Sequence, residues 1–114
     1  MPERYLGEFE ELVVLAVLGL PEADAYAVPI QRRIAHEARR AVTLGSVYRT
    51  LSRLEKKGFV RSRMGEVTPE RGGKRKRLYA VTGFGQAAVV AAREARRRLW
   101  EHVEVNPALL QAGS

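Results

Sequence analysis

The basic residues between Thr43 and Thr82 are the part of this sequence best suited to a specific chemistry, the binding of phosphate. This segment holds eleven Lys or Arg residues and three acidic ones, a net charge of +8, while the whole chain carries +7. The rest of the chain is therefore near neutral. A positive field concentrated in this way attracts polyanions, and the usual partner for such a segment is a nucleic-acid backbone.

Five of these cations form a dense cluster, Arg71, Lys74, Arg75, Lys76 and Arg77. Like charges this close repel one another unless an anion binds between them, so the cluster predicts phosphate contacts. Alternation along a strand would point the two lysines and the last two arginines to opposite faces, so only part of the cluster can contact DNA at one time. The alternative interpretation is a solvated loop that keeps a small protein soluble.

A second group of candidates lies on the helix predicted after Thr43. Arg49 can read guanine through two hydrogen bonds or bind a phosphate, and Arg53 is expected to pair with a phosphate or with a group of its own chain. Tyr48 borders an apolar stripe, so its ring can be buried at the base while its hydroxyl reaches a phosphate. The predicted DNA-binding residues are Thr43, Ser46, Tyr48, Arg49, Arg53, Arg71, Lys74, Arg75 and Arg77.

Helical periodicity predicts two helices ahead of the basic segment. The first runs roughly from Glu8 to Leu20. Asp24 is expected to cap the second, which ends near Arg39 or Arg40. Because Pro29 has no amide proton and is tolerated only in a first turn, this helix either begins late or is kinked.

The third helix and a hairpin account for the basic segment. The helix covers Leu44 to Lys57, with Thr43 as its cap and Gly58 as the left-handed residue that ends it. Its apolar stripe is Leu44, Val47, Leu51 and Leu54. The period then changes to two, which predicts strands around Val60 to Met64 and Leu78 to Val81, joined by a loop with a basic tip.

The last element is a long helix from Gly83 to about Val103, capped by Thr82 and followed by a frayed tail after Pro107. Small residues along one stripe permit close approach of a second helix. Trp100 lies slightly off that stripe and is expected to pack against the first helix or a dimer mate, or to line an effector cavity. The predicted dimerisation or effector residues are Phe84, Ala88, Ala91, Ala95, Leu99, Trp100 and Val103.

Several other chemistries find little support. The chain has no cysteine, and His36 and His102 lie on different helices without clustered carboxylates, so neither a metal site nor a catalytic site is expected and no cofactor is predicted. The GFGQAA stretch that begins at Gly83 matches a dinucleotide fingerprint, but no second parallel strand follows to complete the fold. The longest apolar run, Leu12 to Leu20, is too short to cross a bilayer.

Three helices, a two-stranded hairpin and one long helix make up a winged helix-turn-helix, a mainly α fold with a small β-hairpin. In this fold the start of the third helix enters the major groove and the hairpin loop, the wing, reaches the backbone alongside. We expect a DNA-binding domain over residues 1–82, a dimerisation helix over 83–105 and a flexible tail over 106–114.

The third helix and the passage from hairpin to fourth helix resemble the PadR family of transcriptional regulators. The matching residues are Tyr48, Leu51, Leu54, Glu55 and Gly58, then Arg77, Tyr79, Thr82 and Gly85. The resemblance covers about residues 5–103, and it departs from the family's His-Gly-Tyr where this chain has Asp24, Ala25 and Tyr26. It implies a homodimeric, usually repressing DNA-binding protein whose fourth helix pairs with its partner.

The sequence therefore predicts a cytoplasmic homodimer that binds a pseudo-palindromic operator in double-stranded DNA and represses transcription. A small-molecule effector that releases the protein from DNA is a further candidate partner. No membrane partner is expected. The alternative is a winged-helix adaptor whose basic face docks an acidic protein, because fold alone does not fix function.

Overall fold

A computed structural model of the 114-residue chain describes residues 5–67 and 75–112. In these ranges four α-helices and one two-stranded antiparallel sheet follow each other in the order that the sequence predicts, and one additional short α-helix lies at the end. The elements are α1 Glu8–Gly19, α2 Ala27–Ala38, α3 Leu44–Lys56, β1 Val60–Met64, β2 Arg77–Val81, α4 Gly83–Trp100 and α5 Pro107–Ala112. The fold is a winged helix, mainly α with a β-hairpin, as predicted.

The core lies where α1, α2 and α3 pack against one another and against the start of the hairpin. The predicted stripe of α3 is confirmed for three of its members, Val47, Leu51 and Leu54, which are fully buried. Leu44, the fourth, is 37% exposed because it lies at the first residue of the helix. The remaining fully buried large side chains are Val13, Val14, Ile30, Phe59 and Val60.

The expected cap at Asp24 is wrong. Asp24 ends a short 3-10 turn, Glu22–Asp24, and α2 begins at Ala27. The intervening Ala25 cannot join the helix, because its side chain is buried and its carbonyl accepts a hydrogen bond from the Tyr79 amide of β2 at 2.8 Å. Pro29 is thus the third helical residue, where a missing amide proton costs no helical hydrogen bond. Of the two alternatives, the late start is the one observed.

The α3 helix ends and the sheet begins as predicted. Gly58 has φ +82°, the left-handed conformation that favours glycine. In the hairpin Val60 pairs with Val81 and Met64 with Arg77. The expected alternation along β2 is incomplete, because Leu78 and Tyr79 are both buried although they face opposite sides of the sheet.

The turn from β2 into α4 depends on a close backbone contact. Thr82 caps α4 as predicted, accepting a hydrogen bond from the Gly85 amide at 3.0 Å and donating one to the Gly58 carbonyl at 2.7 Å. A Cβ on Gly85 would lie 2.1 Å from the carbonyl oxygen of Phe59, whereas one on Gly83 would meet nothing within 4 Å. The glycine that the fold requires in this stretch is therefore Gly85.

The chain after α4 differs from the prediction. α4 ends at Trp100 rather than near Val103, and α5 replaces the frayed tail. The Asn106 side chain accepts a hydrogen bond from the Ala108 amide at 3.0 Å, and Pro107 occupies the first helical position that proline favours. Pro107 therefore starts a helix instead of ending one.

α4 leaves the body along its second half, where Arg96 still pairs with Glu11 of α1. Its buried residues are Gly85 and Val89, both in its first half, and an 18-residue helix is about 27 Å long. The radius of gyration is 16.7 Å, against roughly 13 Å for a compact chain of this length. Among the described residues, no helix combines the length and the apolar character needed to span a membrane.

Candidate nucleic-acid interface

The start of α3 is held by two reciprocal hydrogen bonds. The Thr43 hydroxyl accepts from the Ser46 amide at 3.1 Å, and the Ser46 hydroxyl donates to the Thr43 carbonyl at 2.8 Å. The predicted cap at Thr43 is confirmed. The Ser46 hydroxyl proton is already used in the hydrogen bond to the Thr43 carbonyl. The main role of both residues is therefore to stabilise the N-terminal end of α3, the end that would approach DNA.

Arg49 and Tyr48 lie on the exposed face of the same helix. Tyr48 is 52% exposed, more than a ring buried at its base would be. Arg49 is exposed, and one of its terminal nitrogens lies 3.3 Å from the point where a Cβ on Gly45 would stand. The guanidinium therefore extends back over Gly45 toward the start of α3. Among the described residues none forms an ion pair with Arg49.

Arg53, one turn further along α3, is held by its own chain. Its Nε lies 3.0 Å from Oε2 of Glu10 on α1, and the same carboxylate accepts two hydrogen bonds from the Lys57 ammonium at 2.8 and 3.1 Å. Of the two partners expected for Arg53, a phosphate or a group of its own chain, the structure has the second. The cations at the end of α3 therefore fix the helix to α1.

Glu10 is the centre of this contact. Its side chain is 6% exposed, and it accepts a further hydrogen bond from the Gly7 amide at 2.7 Å. Burial alone would raise the pKa of this carboxyl, but the hydrogen bonds from Lys57, Gly7 and Arg53 outweigh burial and lower the pKa below its ordinary value. The group is therefore ionised and fully paired at neutral pH.

A hydrogen-bonded chain connects α3 to the hairpin. Ser62 on β1 donates to Glu55 at the end of α3 at 2.8 Å, and Arg77 on β2 donates to the Ser62 hydroxyl at 3.1 Å. Arg77 remains exposed, and so does Arg75 just before the strand. This chain fixes the angle between the helix and the base of the wing. The other two predicted wing residues, Arg71 and Lys74, lie outside the described residues.

Two further cations of the hairpin are bound to the turn before α2. The Lys76 ammonium lies 4.3 Å from the centre of the Tyr26 ring, a cation–π contact. Arg63 pairs with Glu22 at 3.1 Å across an exposed surface. Within the predicted cluster Lys76 therefore contacts its own chain, Arg75 is exposed, and Arg77 is exposed although it also donates to Ser62.

The residues predicted along the stripe of α4 also fall into two groups, those that contact their own chain and those that are exposed. Phe84 stacks on Phe59 of its own core, with ring centres 4.9 Å apart, and Ala88 also packs on that core. Both residues thus have contacts within the chain that the sequence did not indicate. Phe84 is still 44% exposed, and the other five predicted residues are exposed as well, Ala91, Ala95, Leu99, Trp100 and Val103. A shallow cavity of about 280 Å³ lies against the last three of these and Arg96.

The residues that sequence analysis missed are Glu10, Glu55, Ser62 and Lys57. Each is a polar residue whose partner lies on another element, so no local spacing could point to it. Within the described ranges, no group of three or more His, Cys, Asp or Glu side chains could hold a metal ion.

The sequence also matches a known family. The profile described as the transcriptional regulator PadR-like family matches residues 14–91, from α1 to the middle of α4. The chain belongs to the PadR-like family. PadR-like proteins are transcriptional regulators rather than enzymes, and the winged helix of this chain is of the DNA-binding kind that the family has.

Solved structures agree with this assignment. The PadR-like chain is similar to a PadR-like transcription factor from Bacteroides fragilis, with 27% identity, a TM-score of 0.65 and coverage of 82% of this chain and 84% of the other. A PadR-like regulator from Bacillus cereus has 16% identity, a TM-score of 0.68 and coverage of 90% and 91%. A transcriptional regulator from Clostridium thermocellum has 21% identity, a TM-score of 0.62 and coverage of 83% and 89%. The last two support the fold alone. Comparison with curated proteins finds no match.

Proposed function

We propose that this PadR-like protein is a homodimeric repressor that binds a pseudo-palindromic operator through α3 and the wing. The observation that carries the proposal is the contrast between two arginines on one helix. Arg49 is exposed beside Tyr48 in the first half of α3 and pairs with no carboxylate among the described residues, whereas Arg53, although its side chain is 52% exposed, is bound to Glu10. A recognition helix contacts base edges with its N-terminal residues, which is where the available side chains lie.

The wing supplies the part of the interface that does not depend on sequence. Arg75 and Arg77 are exposed beside α3, and the chain from Arg77 through Ser62 to Glu55 fixes their position relative to it. Phosphate contacts position a protein on the duplex, and base contacts supply specificity. We therefore assign the wing arginines to phosphates and Arg49 to a base edge.

The homodimer is supported by the projecting half of α4. Leu99 is 69% exposed and Trp100 is 60% exposed, and both lie beyond the last buried residue of the helix. Large apolar side chains of this kind are typical anchors of an interface. Two copies related by a twofold axis would place their α3 helices in major grooves roughly 34 Å apart, or a multiple of that distance.

A small-molecule effector would bind at the same place. The cavity beside Trp100 is shallow in one copy, and a second α4 would cover it. We propose it as the effector site, and tryptophan fluorescence screened against small aromatic compounds tests it. A spectrum that no compound changes would contradict this part of the proposal.

The decisive experiment is selection of bound duplexes from a random pool, followed by binding measurements at low and physiological salt. An inverted repeat among the selected sequences would support the dimer, the groove geometry and the function together. Replacing Arg75 and Arg77 with Ala should weaken binding to every sequence, and Arg49→Ala should also relax sequence preference. If no duplex is retained at low salt, the basic face has another partner, and an acidic protein becomes the better hypothesis.

A further inference from the structure

An apolar groove of about 380 Å³ lies between α1 and α2. Leu15 forms one wall of this groove, is 47% exposed, and also lines a second cavity between α1 and α4. Leu12, Ile34, Arg33 and Glu37 are among the other residues that line it. A surface of this kind, apolar at the bottom and charged at the rim, is typical of a site that another segment covers.

α5 carries the complementary surface. Leu109 is 68% exposed and Leu110 is 66% exposed. The hydrogen bond from the Ala108 amide to the Asn106 side chain and the proline at the first position define this helix before anything packs against it. Val103 and Val105, just ahead of it, are about half exposed as well. Four large apolar side chains within eight residues are therefore left in water.

The charges of the two surfaces are also complementary. Residues 101–112 contain two glutamates and no Lys or Arg, whereas residues 27–39, α2 and its C-terminal cap, contain three arginines and one glutamate. Arg33 on the groove rim donates to the Gly19 carbonyl at 2.9 Å, which holds its guanidinium in place. Among the described residues no carboxylate pairs with Arg33, so it can receive Glu104 as a partner.

We infer that α5 of one copy of this chain docks into the α1–α2 groove of a second copy. The inference rests on the homodimer of the proposed function and adds a second contact to it. Within its own chain no residue of α5 lines the groove. In a twofold dimer the exchange occurs twice, so that two grooves and two α5 helices are covered at once.

Disulfide cross-linking tests this directly, because the chain has no cysteine. One batch carries Glu37→Cys at the groove rim with an affinity tag, and the other carries Ala108→Cys without a tag. After the batches are mixed and mildly oxidised, docking in the second copy predicts a covalent heterodimer on a non-reducing gel. The control pair combines Ala108→Cys with Ser52→Cys on the exposed face of α3, and it should stay unlinked.

The other outcomes separate this inference from the proposed function. If the Glu37→Cys and Ala108→Cys chains stay unlinked while sedimentation shows a dimer, the docking of α5 is wrong but the proposed homodimer is supported. If the chain is a monomer at micromolar concentration, the homodimer itself is wrong. If a chain carrying both cysteines closes an internal disulfide and no heterodimer forms, α5 covers the groove of its own chain, which also overturns the inference.

A second measurement does not depend on cysteine geometry. The double variant Leu109→Ser, Leu110→Ser should raise the dissociation constant of the dimer at least tenfold, because each copy loses its contact with the other's groove. The secondary structure seen by circular dichroism should not change, since both leucines are exposed. Val67→Ser, at an equally apolar but unrelated exposed position, is the control. A dimer constant that is unchanged in the double variant would overturn the inference.

Discussion

Arg53 and Glu10 form an ion pair between α3 and α1, with Nε of the arginine 3.0 Å from Oε2 of the carboxylate. The carboxylate is buried and also pairs with Lys57, so two cations of the basic segment stabilise the fold. Arg49, one turn earlier, has no such partner among the described residues. The basic segment between Thr43 and Thr82 therefore contains two kinds of cation, those bound within the fold and those available to a ligand. Net charge alone does not distinguish them.

Removing the charge of Glu10 should destabilise the protein. In Glu10→Gln, Lys57 and Arg53 lose the carboxylate that compensates them, and we expect the free energy of unfolding to fall by about 1–3 kcal/mol. Urea unfolding followed by circular dichroism measures it. Glu8→Gln, which breaks the exposed pair with Arg40, is the control and should change stability by less than about 0.5 kcal/mol. Equal effects of the two variants would contradict the central role of Glu10.

The same carboxylate gives stability a pH dependence. The folded protein lowers the pKa of Glu10 below its ordinary value of 4.5, so the charged form contributes stability above that pH. This contribution is lost as the pH falls through the lower, folded-state pKa. The stability difference between wild type and Glu10→Gln should therefore be full at pH 6 and shrink toward pH 3. A difference that is constant over this range would count against the assignment.

Two glycines of one turn should respond in opposite ways. Gly85→Ala places a methyl group 2.1 Å from the Phe59 carbonyl, so the start of α4 must shift, and we expect a loss of about 1–3 kcal/mol. Gly83→Ala meets no atom within 4 Å and should be neutral or slightly stabilising, since alanine favours a helix. Thermal unfolding of both variants measures the contrast. Similar melting temperatures would show that the close approach at Gly85 does not exist.

Arg39 offers a stabilising substitution. It ends α2 in the left-handed conformation with φ 53°, which is unfavourable for any residue with a side chain. Arg39→Gly should gain about 0.5–1 kcal/mol, whereas the same change at Arg32, in the helix interior, should lose about 1 kcal/mol. Chemical denaturation of the two variants tests both signs. Destabilisation by Arg39→Gly would mean that the Arg39 side chain makes a contact that stabilises the fold by more than the left-handed backbone conformation destabilises it.

The features that local sequence determines were predictable. Caps and stops such as Thr43, Thr82 and Gly58 depend on neighbours within four residues, and the apolar stripe of α3 fixes its buried face. Asn106 followed by Pro107 is a local signal of a helix start, which the prediction of a frayed tail after Pro107 leaves unused. The winged-helix fold follows from the order of these elements.

Contacts between residues that are far apart in the sequence could not be predicted from local sequence patterns. The partner of Arg53 is 43 residues earlier in the chain, and the stack of Phe84 on Phe59 joins α4 to the start of the hairpin. Ala25 is held out of α2 by a hydrogen bond from β2, which is why the cap predicted at Asp24 was wrong. Tertiary hydrogen bonds of this kind override local helix signals, and the spacing of residues along the sequence does not indicate them.

The salt dependence of DNA binding tests the different roles of Arg49 and Arg53 most directly. It is measured by fluorescence anisotropy on a selected duplex for wild type, Arg49→Ala and Arg53→Ala. Wild-type affinity should fall steeply as salt rises, because each phosphate contact releases counterions. Arg49→Ala should bind more weakly and discriminate less between sequences, and Arg53→Ala should keep the wild-type slope and sequence preference. A wild-type slope near zero, or a loss with Arg53→Ala equal to that with Arg49→Ala, would contradict the account.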